Sequence, residues 1–409
     1  MTKTPFEYGV QSYNDYGPAR AFFQRLNVSI GTPPPRARPT ARYVDFSTGL
    51  PVDYVPASSA DQQTAFQKFL NVTAPFENYL LPGYWNFPAP SDIPADLLLP
   101  FGEFVTKHGI HAAVNQIFEV TGLGVGDFQN ALTMFVLGAF GAPMIRSMLQ
   151  QAGTITPASR RNIELYEAIQ SRLASSTLLN SVVTQSERTP TGHTLWVRNS
   201  QTGKCTLVRA RKLLISIEPT PENMAPFSLD EEERTVFSKF RWQTVHAGIV
   251  AHPALPMGVS LVNTPATAAP NRYLEVPKGN LIARFDNMGS NSSHFRVLMV
   301  GNETFGVEQA QRLVRENFAS FVKAGTLQLQ SVGDAASAAE TDVKIRAWAD
   351  HGAMHMHVSA EEIRKGFIQR LYALQGRRAT WWTGGAFSVQ FQAVLWAFDD
   401  TLLPKIIAG

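Results

Sequence analysis

The chain has 409 residues, of which 44% are hydrophobic and 11% aromatic, which excludes a disordered or fibrous protein and supports a large core. Its formal net charge of +3 comes from 36 Lys and Arg interspersed with 33 Asp and Glu, so no nucleic-acid footprint is present. The single cysteine, Cys205, excludes an intramolecular disulfide framework and a multi-cysteine metal site. At this length two domains are expected, because single cores stop growing near roughly 250–300 residues.

The first fifty residues are aromatic and Pro-rich, with Tyr8, Tyr13, Tyr16 and the run Pro33, Pro34, Pro35, and they read as irregular chain feeding a strand at 41–46. The amino terminus has no apolar h-region, so no signal peptide is expected on this chain. From 58 to 172 the apolar spacing is helical and predicts helices at 60–70, 100–116, 127–137 and 157–173. The most apolar stretch, 131–145, is interrupted by Gly138, Gly141 and Pro143 and falls short of the roughly 20 residues a spanning helix needs. The period then changes, and 181–185, 193–199 and 205–217 predict three successive antiparallel strands. Ser228 with Glu231 reads as a capping box opening a helix to about Lys239. Strands follow at 243–250, 280–284 and 295–300, then an amphipathic helix at 307–323. A second box, Ser359 with Glu362, opens a helix whose apolar stripe is Ile363, Phe367, Leu371 and Leu374. A short strand at 379–383 then meets Gly384-Gly385 and a final helix at 388–402.

A strand that ends at a glycine pair before a helix gathers free backbone N–H groups with no Cβ in the way, and so suits an anion or a group that becomes one. The run from Leu374 through Gln375-Gly376-Arg377-Arg378-Ala379-Thr380-Trp381-Trp382-Thr383-Gly384-Gly385-Ala386 to Phe387, with Leu395-Trp396-Ala397-Phe398 beyond it, resembles the carboxyl-terminal flavin-contacting segment of FAD-dependent, amine-oxidase-like oxidoreductases. Within them it is most similar to the β-cyclopiazonate dehydrogenase-like proteins of fungal secondary metabolism. Val183-Thr184-Gln185-Ser186-Glu187-Arg188 resembles the strand that places an apolar residue against the adenine end of FAD. The stretch from Ala210 to Pro219, with Ile215-Ser216-Ile217-Glu218, resembles the strand leaving the cofactor domain, and Tyr8-Gly9-Val10-Gln11 resembles a segment that follows the flavin fingerprint.

The resemblance implies an α+β fold of the two-domain amine-oxidase-like flavoprotein type, an α/β-type FAD domain interleaved with a mixed-sheet substrate domain. The FAD-binding domain would comprise residues 173–219 and 348–409, and the substrate-binding and helical domain residues 1–172 and 220–347. It also implies non-covalent FAD, with Val183, Trp382, Gly384, Gly385, Ala386 and Phe387 as cofactor contacts. The implied activity is hydride transfer to flavin N5 from a small metabolite, an amine or other nitrogen-containing secondary metabolite among them. Adjacent strand residues point to opposite faces, so only one of Trp381 and Trp382 can face a flavin.

The chain departs from this pattern in having no G-x-G-x-x-G; Gly122-Leu123-Gly124-Val125-Gly126 follows a helical pattern and reads as a loop. The cofactor domain is therefore expected to be N-terminally incomplete, with a catalytically silent or truncated relative that does not retain FAD as the alternative. No catalytic residue is assigned. Phe391 stands where relatives tend to carry a polar residue, Lys278 reads as a solvated loop lysine, and Cys205 as a packed thiol rather than a flavin attachment. His351, His355, His357 and Asp350 do not share one face of a regular element, and His108 with His111 read as a surface pair, so no metal site is assigned. Hydrolase and nucleotide-triphosphate motifs are absent.

Overall fold

The computed structural model describes residues 7, 9–31, 39–121, 126–288, 293–329 and 342–408. Tyr8 and four of the five residues from Gly122 to Gly126 lie outside them. In chain order the strands are β1 (Tyr13–Asn14), β2 (Ile30–Gly31), β3 (Thr40–Val44), β4 (Thr154–Pro157), β5 (Ser181–Thr189), β6 (Gly192–Asn199), β7 (Cys205–Ala210), β8 (Leu213–Ile215), β9 (Arg241–Ala251), β10 (Val259–Asn263), β11 (Leu281–Asn287), β12 (His294–Gly301), β13 (Lys344–His357) and β14 (Thr380–Trp382).

A six-stranded sheet of order β13-β9-β12-β11-β10-β3 forms the centre of one half of the molecule. Its pairs are antiparallel except β10 with β3. The helix Val307–Lys323 covers one face, burying Ala310, Val314, Phe318 and Phe321 at the three- and four-residue steps that put them on one stripe. Phe321 meets Phe46 edge-on at 4.8 Å and Phe285 at 5.5 Å, which joins the sheet, the helix and the Asp45–Leu50 turn in one cluster.

Strands β5, β6 and β7 form the expected antiparallel meander, and β8 leaves it to pair in parallel with β14, Thr380 opposite Leu213 and Trp382 opposite Ile215. All the chain between Ile215 and Thr380 is thus the crossover between two neighbouring strands. The helices of residues 59–149 pack against β14 and the carboxyl-terminal helix in a second, larger cluster. That helix runs Gln392–Ala408.

Several boundaries differ from expectation. The 100–116 helix is broken into Phe101–His108 and Val114–Thr121 because Gly109 turns left-handed (φ +60°) between them. Gly366 (φ +81°) likewise divides the 359–374 stripe into Ala360–Arg364 and Phe367–Tyr372. Residues 127–131 form bends and turns and Leu132 bridges to Pro100, with the helix confined to Thr133–Ala139, and Pro157 ends strand β4 before the helix Ile163–Leu173. The capping box is Asp230 with Glu233 and not Ser228 with Glu231, since Ser228 is itself left-handed. The final helix starts at Gln392, so residues 386–391 separate it from the glycine pair. Strand β13 is absent from the expected set. Cys205 is exposed rather than packed. No helix among the described residues is long and apolar enough to cross a membrane.

Candidate active site

The carboxyl-terminal turn is held from two sides. Tyr372 accepts from the Tyr84 N–H at 2.5 Å and donates to the Phe387 carbonyl, while the Ser388 hydroxyl donates to the Pro82 carbonyl. Gly83 permits this close approach: a Cβ there would stand 2.5 Å from Phe398 and 2.6 Å from the Tyr372 hydroxyl. The turn is therefore clamped to the helical layer as well as to β8, where the Thr383 N–H donates to the Ile215 carbonyl at 3.0 Å.

Within the turn, Gly384 adopts φ +111°, a conformation that glycine tolerates and a side chain resists. The Glu218 carboxyl lies against the backbone of Gly385 and Ala386, whose N–H groups favour its charged form, and it accepts from Gln390 Nε2 at 2.9 Å. A Cβ on Gly385 would lie 2.7 Å from Glu218 Oε1 and 1.7 Å from Gln390 Nε2. Burial pushes the Glu218 carboxyl above its ordinary value, against the pull of its three donors, and its Oε2 is buried without a hydrogen-bond partner. The turn at Gly385 and Ala386 thus forms a backbone cradle, and an internal carboxyl fills it.

Beside the cradle lies a cavity of about 500 Å³, a volume typical of small-molecule sites. Its apolar wall includes Tyr84, Leu132, Phe135, Met356 and Val389. Its polar groups include Asp127 and Asn130 from the helical layer, Arg241 and Gln243 from β9, His355 and His357 from β13, Ser359 beyond it, and Ser388 and Gln390 from the turn. Residues two apart on a strand share a face, which is why Arg241 and Gln243 look into one space, whereas His355, Met356 and His357 all reach it from the irregular end of β13. β13 ends there in irregular register, with breaks between Asp350 and Ala353 and between Met354 and His357, and His355 is left-handed at φ +53°. Burial depresses the imidazole of His355 to about 4 and also lowers that of His357, so both are neutral near pH 7.

Of the residues expected to hold a cofactor, the structure brings Gly385 to the cavity wall. Gly384, Ala386 and Phe387 belong to the same turn and are buried behind it. Trp382 is fully buried, packed edge-on to Phe237 at 4.9 Å, stacked with Phe387 at 6.1 Å and under the Arg188 guanidinium at 5.4 Å. Its neighbour Trp381 is buried as well. Val183 lies on the separate meander, opposite Val197. Phe391 packs half-buried on the larger core, Lys278 is exposed, and His108 bonds Asp96 at 2.7 Å while His111 sits in the next, short helix. Among the described residues no group of His, Cys, Asp and Glu is placed to hold a metal. Sequence reasoning assigned no role to Glu218, Arg241 or Gln243; a carboxylate inside the apolar run 213–219 was the available signal for the first.

The fold is that of the amine-oxidase-like flavoproteins. It superposes on a CLA-producing fatty acid isomerase from P. acnes with a TM-score of 0.70 at 18% identity, over 99% of this chain and 88% of that one. Cyclohexylamine oxidase from Brevibacterium oxydans gives 0.58 at 12% identity, over 99% and 88%. No protein-family model matches the chain. By sequence the chain is 30% identical to β-cyclopiazonate dehydrogenase of Aspergillus flavus over 99% of its own length and 83% of the relative's. It is 28% identical to the FAD-dependent oxidoreductase pigF of Monascus ruber over 100% and 82%. The chain belongs to the family of FAD-dependent oxidoreductases that includes β-cyclopiazonate dehydrogenase.

Proposed function

We propose that this chain is an FAD-dependent oxidoreductase acting on a small, largely apolar metabolite, with nitrogen-containing compounds among its substrates. The observation that carries the reading is the Gly385–Ala386 cradle at the cavity wall, in which the Glu218 carboxyl stands in for an electron-rich oxygen. Three features fit a flavin edge there: Gly385 and Ala386 backbone N–H groups that favour a charged oxygen, a glycine whose Cβ would fill the space, and a buried orphan oxygen on Glu218. FAD, when bound, supplies a two-electron acceptor that takes hydride at N5 and gathers negative charge at its pyrimidine end. The Gly385 and Ala386 N–H groups would hold that end, with Gly384 supplying the turn and Phe387 and Trp382 packing behind it. Such preformed donors stabilise developing charge without reorganisation. Val183 is assigned to the adenine end on resemblance alone. The division into an FAD domain, residues 173–219 with 348–409, and a substrate domain belongs to the same proposal. The names of the relatives, dehydrogenase and oxidase among them, support the reaction class.

An absorbance spectrum of the purified chain, taken after incubation with FAD and gel filtration, tests this. Retained flavin bands that dithionite bleaches and air restores are expected, and Gly385→Val should lose them. A colourless wild-type protein overturns the reading and favours the silent relative.

A further inference from the structure

His357 Nδ1 stands 2.9 Å from the carbonyl oxygen of His355. A carbonyl accepts and cannot donate, so Nδ1 carries the hydrogen, and in the neutral ring Nε2 keeps a bare lone pair. Among the described residues no hydrogen bond to that nitrogen is found, while the ring lines the cavity and packs edge-on to Phe135 at 6.1 Å. The carbonyl reaches Nδ1 from a strained residue: His355 is non-glycine at φ +53°, in a register break at the end of β13. Such strain persists where the surroundings over-determine it, and bulges next to sites re-aim side chains.

We propose that His357 is the proton acceptor of this cavity, receiving through Nε2 the X–H group of an H–C–X–H substrate, where X is nitrogen or oxygen, and that His355 is the positioning residue that fixes its tautomer. The binding claim stands on the cavity alone, and the oxidation rests on the oxidoreductase reading above. In that step the X–H bond breaks and its proton goes to Nε2. The C–H bond breaks with its electron pair, leaving as hydride to the oxidised flavin, and the C=X bond forms. One hydride and one proton leave, so the substrate loses two electrons in all. Burial lowers the affinity of His357 for protons, opposed by Glu303 and reinforced by Arg241, so the ring starts the step neutral.

The test needs no flavin, so its failure is separate from a failure to bind FAD. The probes are 2-naphthol and its methyl ether, the second lacking only the donor. In protein labelled with ¹⁵N-histidine, His357 should show a protonated Nδ1 and a bare Nε2 at pH 7.5, and 2-naphthol should shift the Nε2 signal. By calorimetry 2-naphthol should bind roughly tenfold more tightly than the ether, as one hydrogen bond allows. His357→Phe should reduce that preference to about twofold at an unchanged Tm. An Nε2-protonated tautomer, equal affinities, or no binding of either probe overturns the assignment of His357. His355→Gly, which accepts the same φ, should keep the tautomer, and His355→Val, which resists it, should give a mixture. An unaltered tautomer in the valine variant overturns the role of His355.

Discussion

The side chains of Glu233 and Arg188 are both 0% exposed and face each other at 2.6 and 3.0 Å, with Arg378 at 3.5 Å from the same carboxylate. The guanidinium also reaches the Phe227 carbonyl at 2.9 Å and Thr380 Oγ1 at 3.2 Å, so one ion pair fastens the meander, the helix Glu231–Phe237 and β14 together. The same carboxylate caps its own helix, accepting from the Asp230 N–H at 2.9 Å. Removing one partner strands a buried charge, and Glu233→Ala is expected to lower stability by about 3–5 kcal/mol in urea denaturation. The double variant Arg188→Met with Glu233→Leu should recover most of that loss, because the desolvation cost disappears with the pair. A single variant within about 1 kcal/mol of wild type would show that water reaches this site. Asp230 and Glu233 also explain why the sequence pattern misleads at this helix start: two acidic residues fill the box that Ser228 and Glu231 imitate, and the backbone of Ser228 is in the wrong basin to cap.

At the scale of elements, the strand-turn-helix unit from Thr380 to Ala408 is anchored by side chains from elsewhere more than by its own helix. Its glycine pair and its strand were legible, because a Gly pair after an apolar run admits few other readings. The delayed helix start was not, since residues 386–391 are committed to Tyr372, Pro82 and Glu218, partners that no local pattern announces. Tyr372→Phe leaves a buried N–H on Tyr84 and a buried carbonyl on Phe387 without this partner. It should cost about 1–3 kcal/mol and raise hydrogen exchange at 384–391 ahead of the rest of the chain. Uniform exchange across the molecule would show that the turn is not an independently opening unit. Strand β13 escaped sequence reading for a related reason: Ala349, Asp350, His351 and Gly352 break the alternation where the register shifts, so no period of two survives along it.

For the whole molecule the histidines whose protonation desolvation disfavours set an acid limit. His355 is held at about 4 in the folded chain against an ordinary value near 6.5. A depressed histidine binds fewer protons folded than unfolded, so stability rises with pH across the window from about 4 to 6.5 and is lost on acidification through it. Burial lowers His193, His351 and His357 in the same direction. Chemical denaturation at pH 7 and pH 5 should differ by roughly 2 kcal/mol from His355 alone, and His355→Gln should flatten the difference. A variant as acid-sensitive as wild type would place the limit in the other lowered histidines, His193, His351 and His357, since a carboxylate held low, such as Asp286, loses its contribution only below about pH 4.

The sequence by itself determined the mixed helix and sheet content, the antiparallel meander, the Val307–Lys323 helix and the family of the chain, because these rest on local periodicity and on contiguous motifs. Tertiary structure alone decided that Glu218 fills the Gly385–Ala386 cradle and that β9 and β13 bring Arg241, Gln243, His355 and His357 to one cavity. Those residues come from segments far apart in the chain, and strand pairing across a long crossover sets their meeting, a pairing no window of sequence contains.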